Sequence, residues 1–247
     1  MQQYGLIGFP LGHSFSRRFF NEEFFPQEGI DAEYLNFEIE DVHQLPDVLR
    51  AHPMLRGLNC TIPHKQAVIP LLDAISPEAA EIGAVNVIRV RDGRMKGYNS
   101  DIIGFMDSIR PLLKPFHKRA LVLGSGGASR AVWVGLMRLG LSPTQVSRRG
   151  GDNVLSYADL TPEVMAEHTV IVNCSPLGMF PHIDTCPDIP YQLLTERHLL
   201  YDLVYNPEVT LFMRHGRRRG AIVKNGLEML RLQALASWKF WNTEDDE

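Results

Sequence analysis

The chain has 247 residues, 45% of them apolar and 22% charged, which is enough for a sizeable core and long enough for one or two domains. A formal net charge of -4 gives no overall attraction to nucleic-acid backbones or anionic lipid, so neither is an expected partner. Cys60, Cys174 and Cys186 form an odd set without CxxC spacing, which argues against a disulfide framework and fits a reducing cytoplasm.

The apolar start from Tyr4 to Leu11 is broken by Gly5, Gly8 and Pro10 and has no basic leader, so it reads as neither signal peptide nor membrane span. No later run approaches the ~18 apolar residues of a membrane helix. Gln3 to Ile7 and Ala32 to Phe37 read as strands around a helical stretch after Ser16, which is placed to cap a helix starting at Arg17. Asp41 to His52 has helical spacing, and Leu55 to Cys60 is a further strand. Lys65 to Leu72 and Pro77 to Ile82 follow as short helices. Val85 to Tyr98 reads as two strands turning at Asp92-Gly93.

A helix from Ile102 to Leu113, which Asp101 is suited to cap, leads to the short apolar run Ala120 to Leu123. Further strands are expected at Gln145 to Ser147, Val170 to Asn173, Leu199 to Val204 and Ala221 to Val223, with helical or irregular material between them. Leu227 to Trp241 carries apolar residues three to four apart and makes a final amphipathic helix. Beyond it, the acidic tail Thr243 to Glu247 is the one stretch where composition favours disorder.

Gly124-Ser125-Gly126-Gly127-Ala128-Ser129 stands between a strand and a helical run. A dinucleotide needs a tight turn at Gly124, backbone approach to its pyrophosphate at Gly126, and a helix N-terminus whose free N–H groups face the anion. Ser129 replaces the usual third Gly or Ala and is small enough for that place. Where an NAD enzyme ends its next strand with an acid, about 20 residues on, this chain has Ser147-Arg148-Arg149. A guanidinium forks onto a phosphate and gains nothing from a neutral 2′-hydroxyl, so NADP is the expected cofactor. The helix after this strand should be abbreviated, because Gly150-Gly151-Asp152-Asn153 interrupts it. Nine histidines form no HxxxH or HExxH, and no serine sits in a G-x-S-x-G elbow, so neither a metal nor a serine nucleophile is expected.

Eight separated motifs resemble those of shikimate dehydrogenases and occur in that family's order. They begin with Gly8-Phe9-Pro10-Leu11-Gly12-His13-Ser14-Phe15-Ser16, Asn59-Cys60-Thr61-Ile62-Pro63-His64-Lys65, Gly83-Ala84-Val85-Asn86 and Asn99-Ser100-Asp101-Ile102-Ile103-Gly104. After the glycine-rich turn come Asn173-Cys174-Ser175-Pro176-Leu177-Gly178-Met179, Asp202-Leu203-Val204-Tyr205-Asn206-Pro207, and Gly226-Leu227-Glu228-Met229-Leu230 with Gln233-Ala234 beyond. The resemblance implies a two-domain α/β protein that reversibly reduces 3-dehydroshikimate to shikimate with NADPH. Its substrate domain would be residues 1–101 plus 227–247, with the C-terminal helix returning to it, and its Rossmann-like NADP domain residues 102–226.

By the same resemblance Lys65 and Asp101 are the catalytic pair, and Ser14 and Ser16 hold the substrate carboxylate. Asn59, Thr61, Asn86, Tyr205 and Gln233 surround the ring, while Gly226 joins the cofactor residues. An ammonium is protonated at neutral pH and can donate to the oxygen on which negative charge develops, and a carboxylate beside it would orient it. His64 would shape the pocket or face solvent. The partners are then a small-molecule substrate and cofactor, in a monomer or homodimer. A quinate or dual quinate/shikimate dehydrogenase using NAD, and a catalytically silent binding homologue, are the alternatives. The chain departs from the family pattern at Arg17, where proline is common, and at Phe20, where histidine commonly precedes asparagine.

Overall fold

The computed structural model describes residues 1–12 and 14–243; His13 of the serine loop and residues 244–247 of the acidic tail lie outside the described residues. The chain divides into two α/β units, Met1–Ser100 with Ala234–Glu247, and Asp101–Gln233. In the first, β1 (Gln2–Gly8), β2 (Ala32–Glu38), β3 (Leu55–Cys60), β4 (Ala74–Ile75), β5 (Val87–Arg91) and β6 (Arg94–Tyr98) form one sheet in the order β2-β1-β3-β5-β6-β4. The β2-β1-β3 core is parallel, and β5 returns antiparallel to β3 and β6. Asp92 at φ 50° and Gly93 at φ 76° supply the two left-handed residues of the tight turn between β5 and β6.

Strand β1 is buried on both faces, which is why it reads as a continuous apolar run instead of an alternating one. Tyr4 and Leu6 face an aromatic cluster with Phe19, Phe20, Phe25, Tyr34 and Trp241, while Ile7 faces an aliphatic one with Leu45, Leu58, Val68 and Ile88. Gly57 is required here: a Cβ on it would meet the Trp241 indole. The helical stretch 15–28 starts earlier than Arg17. Its N-cap is Ser14, whose side chain accepts from Arg17 N, so Ser16 lies inside the first turn and is not the cap.

Three expected helices are each cut in two, and a proline stands at every cut. The stretch 41–52 is a 3-10 turn, Val42–Gln44, then helix Leu45–Ala51 with Pro46 in its first turn. Helix His64–Ala67 gives way to a 3-10 turn containing Pro70, and helix Asp101–Ile109 to one containing Pro111. Proline lacks the N–H that would continue the helix and restricts the residue before it.

In the second unit β7 (Arg119–Leu123), β8 (Ser142–Ser147), β9 (Val154–Ser156), β10 (Val170–Asn173), β11 (Leu199–Asp202) and β12 (Ile222–Lys224) form an all-parallel sheet in the order β12-β11-β10-β7-β8-β9. Alternate residues divide between two cores. Ala120, Val122, Val170, Val172, Leu199 and Tyr201 face one, and Leu121, Leu123, Val146, Ile171 and Leu200 face the other. The expected abbreviated helix after Arg148 is replaced by a turn through Gly150 at φ 63° and Asn153 at φ 58°, leading directly into β9.

The final helix, Leu227–Asn242, contributes to both units, its residues before Ala234 clustering with the second. Gly104 allows that packing, because a Cβ there would stand 2.5 Å from Met229 O and 3.0 Å from Gln233 N. No helix among the described residues is long and apolar enough to cross a membrane.

Candidate functional site

The first unit gathers its expected site residues at one sheet edge. The parallel strands β1 and β3 end there at Gly8 and Cys60, and antiparallel β5 begins there at Val87. Backbone bonds tie the following loops together: Thr61 N donates to Ile7 O at 3.0 Å, Phe9 N to Ile62 O at 3.1 Å and Cys60 N to Asn86 O at 2.9 Å. Lys65 is half-buried in the first helical turn after β3, and its carbonyl accepts from Val85 N at 2.7 Å. Ser14 and Ser16 stand half-buried on the loop and first turn after β1.

Behind this edge lies a buried polar network that only the fold assembles. Asn59 accepts from the Tyr34 hydroxyl at 2.8 Å and donates to Ser237 Oγ at 2.9 Å and to Asn86 O at 3.2 Å. Asn86 accepts from Ser100 N at 2.7 Å and donates to Ser100 Oγ at 3.0 Å, and the Ser100 and Ser237 hydroxyls are 3.1 Å apart. Burial pushes the Tyr34 phenol up, and a hydrogen bond with Ser16 partly offsets the rise. Neither Tyr34 nor Ser237 was expected from the sequence, where a strand tyrosine and a helix serine carry no signal of their own.

His64 does not face solvent. It is 2% exposed, and its Nε2 lies 2.7 Å from Ile39 O, an acceptor, so Nε2 carries the proton. It pins the turn holding Lys65 to the end of β2. Phe20, at the position where the family commonly has histidine, stacks on Tyr34 at 4.9 Å between ring centroids. The adjacent Asn21 pairs with both backbone groups of Tyr34, at 2.8 and 2.9 Å.

In the second unit the C-terminal end of β7 opens into the glycine turn. Gly124 has φ 107°, and a Cβ on it would stand 3.3 Å from Ser175 N. At Gly126 a Cβ would meet nothing within 4 Å, so the backbone there is open to a ligand. Gly126 is the N-cap of helix Gly127–Arg138 and makes no side-chain cap, leaving that helix's first N–H groups unclaimed by a capping side chain. Ser125 is exposed and Ala128 half-buried, while Ser129 is buried with its hydroxyl donating to Gly126 O at 2.6 Å. Serine at the third position therefore fits by size and also closes the turn.

Ser147 ends β8, paired with Ser156, and Arg148 and Arg149 follow it exposed. A positive helix end, open backbone and exposed guanidiniums fit a phosphorylated dinucleotide. Gly226 N donates to Val204 O at 3.2 Å, and Tyr205 is 37% exposed on the same β11 loop. Gln233 is buried in the last helix, donating to Leu230 O at 2.9 Å. Asp101 is buried and is itself the first residue of its helix. Among the described residues no three His, Cys, Asp or Glu side chains group as a metal site would require.

Residues 6–88 match the family model described as the shikimate dehydrogenase substrate binding domain. Over 96% of its length the chain is 36% identical to the shikimate dehydrogenase (NADP(+)) of Desulforamulus reducens, covering 88% of that protein. The crystal structure of shikimate 5-dehydrogenase from Thermus thermophilus, in complex with NADP(H) and shikimate, superposes with a TM-score of 0.85 at 31% identity; 98% of this chain and 94% of that one are covered. Shikimate dehydrogenase from Aquifex aeolicus gives 0.87 at 34% identity, covering 98% of this chain and 92% of that one.

Proposed function

The chain belongs to the shikimate dehydrogenase family, and from that premise we propose how its residues divide the work of an NADP-dependent oxidoreductase that reversibly reduces 3-dehydroshikimate to shikimate. When bound, NADPH would supply the hydride for the reduction and NADP+ would accept it in the reverse direction. The first unit supplies most of the substrate residues and the second the cofactor site. Ser14 and Ser16 take the substrate carboxylate, while Asn59, Thr61, Asn86, Tyr205 and Gln233 present neutral groups to the ring. Lys65 donates the proton to the ketone oxygen, and Asp101 orients its ammonium.

On the cofactor side the turn Gly124 to Ser129 takes the pyrophosphate, with Gly226 beside it. Ser147, Arg148 and Arg149 take the 2′-phosphate. The observation that carries this assignment is the uncapped helix end at Gly126 together with guanidiniums, and no acid, directly after β8. The enzyme works in the cytoplasm as a monomer or homodimer.

The test is a spectrophotometric assay following the reduced nicotinamide, with shikimate or quinate as reductant and NADP or NAD as acceptor. Turnover with shikimate and NADP alone is the expected result. Turnover with quinate or NAD moves the protein to the broader-specificity branch, and folded protein silent in every combination is a binding homologue.

A further inference from the structure

The buried carboxylate at the end of β11 takes no part in the chemistry assigned above. Asp202 is 0% exposed. Its Oδ1 accepts from Asn173 Nδ2 at 2.9 Å and Val204 N at 3.0 Å, and its Oδ2 accepts from Thr210 Oγ1 at 2.6 Å. Three donors, one at the end of β10 and two on the loop after β11, converge on one group that, when ionised, only accepts. All three donors lie at the C-terminal edge of the sheet, where open α/β folds bind their ligands.

The first donor leads to the glycine turn. Asn173 Oδ1 accepts from Ser175 N at 3.0 Å and Ser175 Oγ at 2.6 Å, and a backbone N–H can only donate. That fixes which end of the Asn173 amide faces Asp202. Ser175 in turn packs against Gly124, whose added Cβ would stand 3.3 Å from Ser175 N. Val204 leads to Gly226, whose N donates to Val204 O at 3.2 Å, and a Cβ on Gly226 would collide with Leu203 O. Thr210 is the N-cap of helix Leu211–Arg218 and closes the loop that carries Tyr205.

A carboxylate costs the fold something here. Burial raises its pKa to about 6, its three hydrogen bonds only partly offsetting the shift, so folding at neutral pH keeps a charge away from water. A local choice that works against stability is expected where function requires it. An amide would carry hydrogens toward one of the three donors, and an apolar side chain would leave all three without an acceptor.

We propose that Asp202 is a positioning residue of the cofactor site, holding the loops after β10 and β11 so that Gly124 and Gly226 are presented to NADP. This rests on the reading that the second unit binds NADP, and the comparison variant Arg148→Ala separates the two. The experiment measures the Kd for NADP and the KM for NADP and for shikimate in the wild type, Asp202→Asn and Thr210→Val. Each of the two loop variants should raise the NADP Kd and KM about tenfold, with the shikimate KM, which senses the loop only through Tyr205, rising distinctly less.

Folded variants that bind NADP as the wild type does overturn the proposal. So does a loss spread equally over NADP and shikimate, the mark of a general structural role. Should Asp202→Asn not fold, Thr210→Val, which keeps the branched shape and removes the donor, decides alone. Arg148→Ala losing NADP affinity while the loop variants do not leaves the cofactor reading intact and removes Asp202 from it. The reverse pattern keeps Asp202 and removes Arg148.

Discussion

Tyr34 donates its hydroxyl to Asn59 Oδ1 at 2.8 Å, with the phenol fully buried and the amide 5% exposed. The bond joins the strand behind the serine loop to the strand that leads to Lys65. Tyr34→Phe keeps the ring stack on Phe20 and removes only the donor, leaving a buried carbonyl oxygen short of a partner. The expected cost is about 1 to 3 kcal/mol, read as a lower urea midpoint, with the shikimate KM rising in step. An unchanged midpoint would show that the Asn59 amide is held by Ser237 and Asn86 alone.

Lys65→Met preserves the length and apolar stem of the side chain and deletes the ammonium. Turnover should fall roughly 10²- to 10⁴-fold while the Kd for NADP stays as in the wild type. An unimpaired variant removes Lys65 from the proton transfer.

Arg148→Ala deletes an exposed guanidinium just beyond β8. Losing a charge-assisted bond worth about 1.5 to 3 kcal/mol should raise the Kd for NADP roughly tenfold or more and leave the Kd for NAD unchanged. Equal losses for both nucleotides would assign the 2′-phosphate to another group.

The pH dependence of stability has a definite sign at Asp202. Its folded pKa, about 6, lies above the ordinary carboxylate value, so its contribution is fully present below the unfolded pKa and is lost as pH rises through about 6. The titratable groups on which Asp202 acts, the Cys174 thiol and the Tyr191 phenol, are pushed up chiefly by burial and stay neutral throughout. The unfolding free energy of the wild type minus that of Asp202→Asn should therefore fall between about pH 4 and about pH 6 and be level above that. A flat difference would place the group at its ordinary value.

Elements whose signal is local were legible in the residues. The apolar strand, glycine turn and helical run from Ala120 onward need only neighbouring residues to declare them, and so does the left-handed pair at Asp92-Gly93. Arg148 in place of an acid pointed to NADP for the same reason, since its meaning depends on one strand end. The family motifs, each a short run, marked Lys65 and Asp101 without any distance being known.

Long-range pairing decided the rest. Asn59 meets Tyr34 across 25 positions and Ser237 across 178, and nothing in either partner's neighbours announces the bond. The burial of His64 follows from Ile39 lying beside it, and β9 exists because β8 offers a free edge to the segment after Asn153. Asp202 read as one more motif residue until the sheet brought Asn173, Val204 and Thr210 around it. Periodicity and turn chemistry are written in adjacent residues and survive in the bare sequence. The desolvation of a carboxylate and the satisfaction of a buried amide depend on what the fold packs against them, and so belong to the tertiary structure alone.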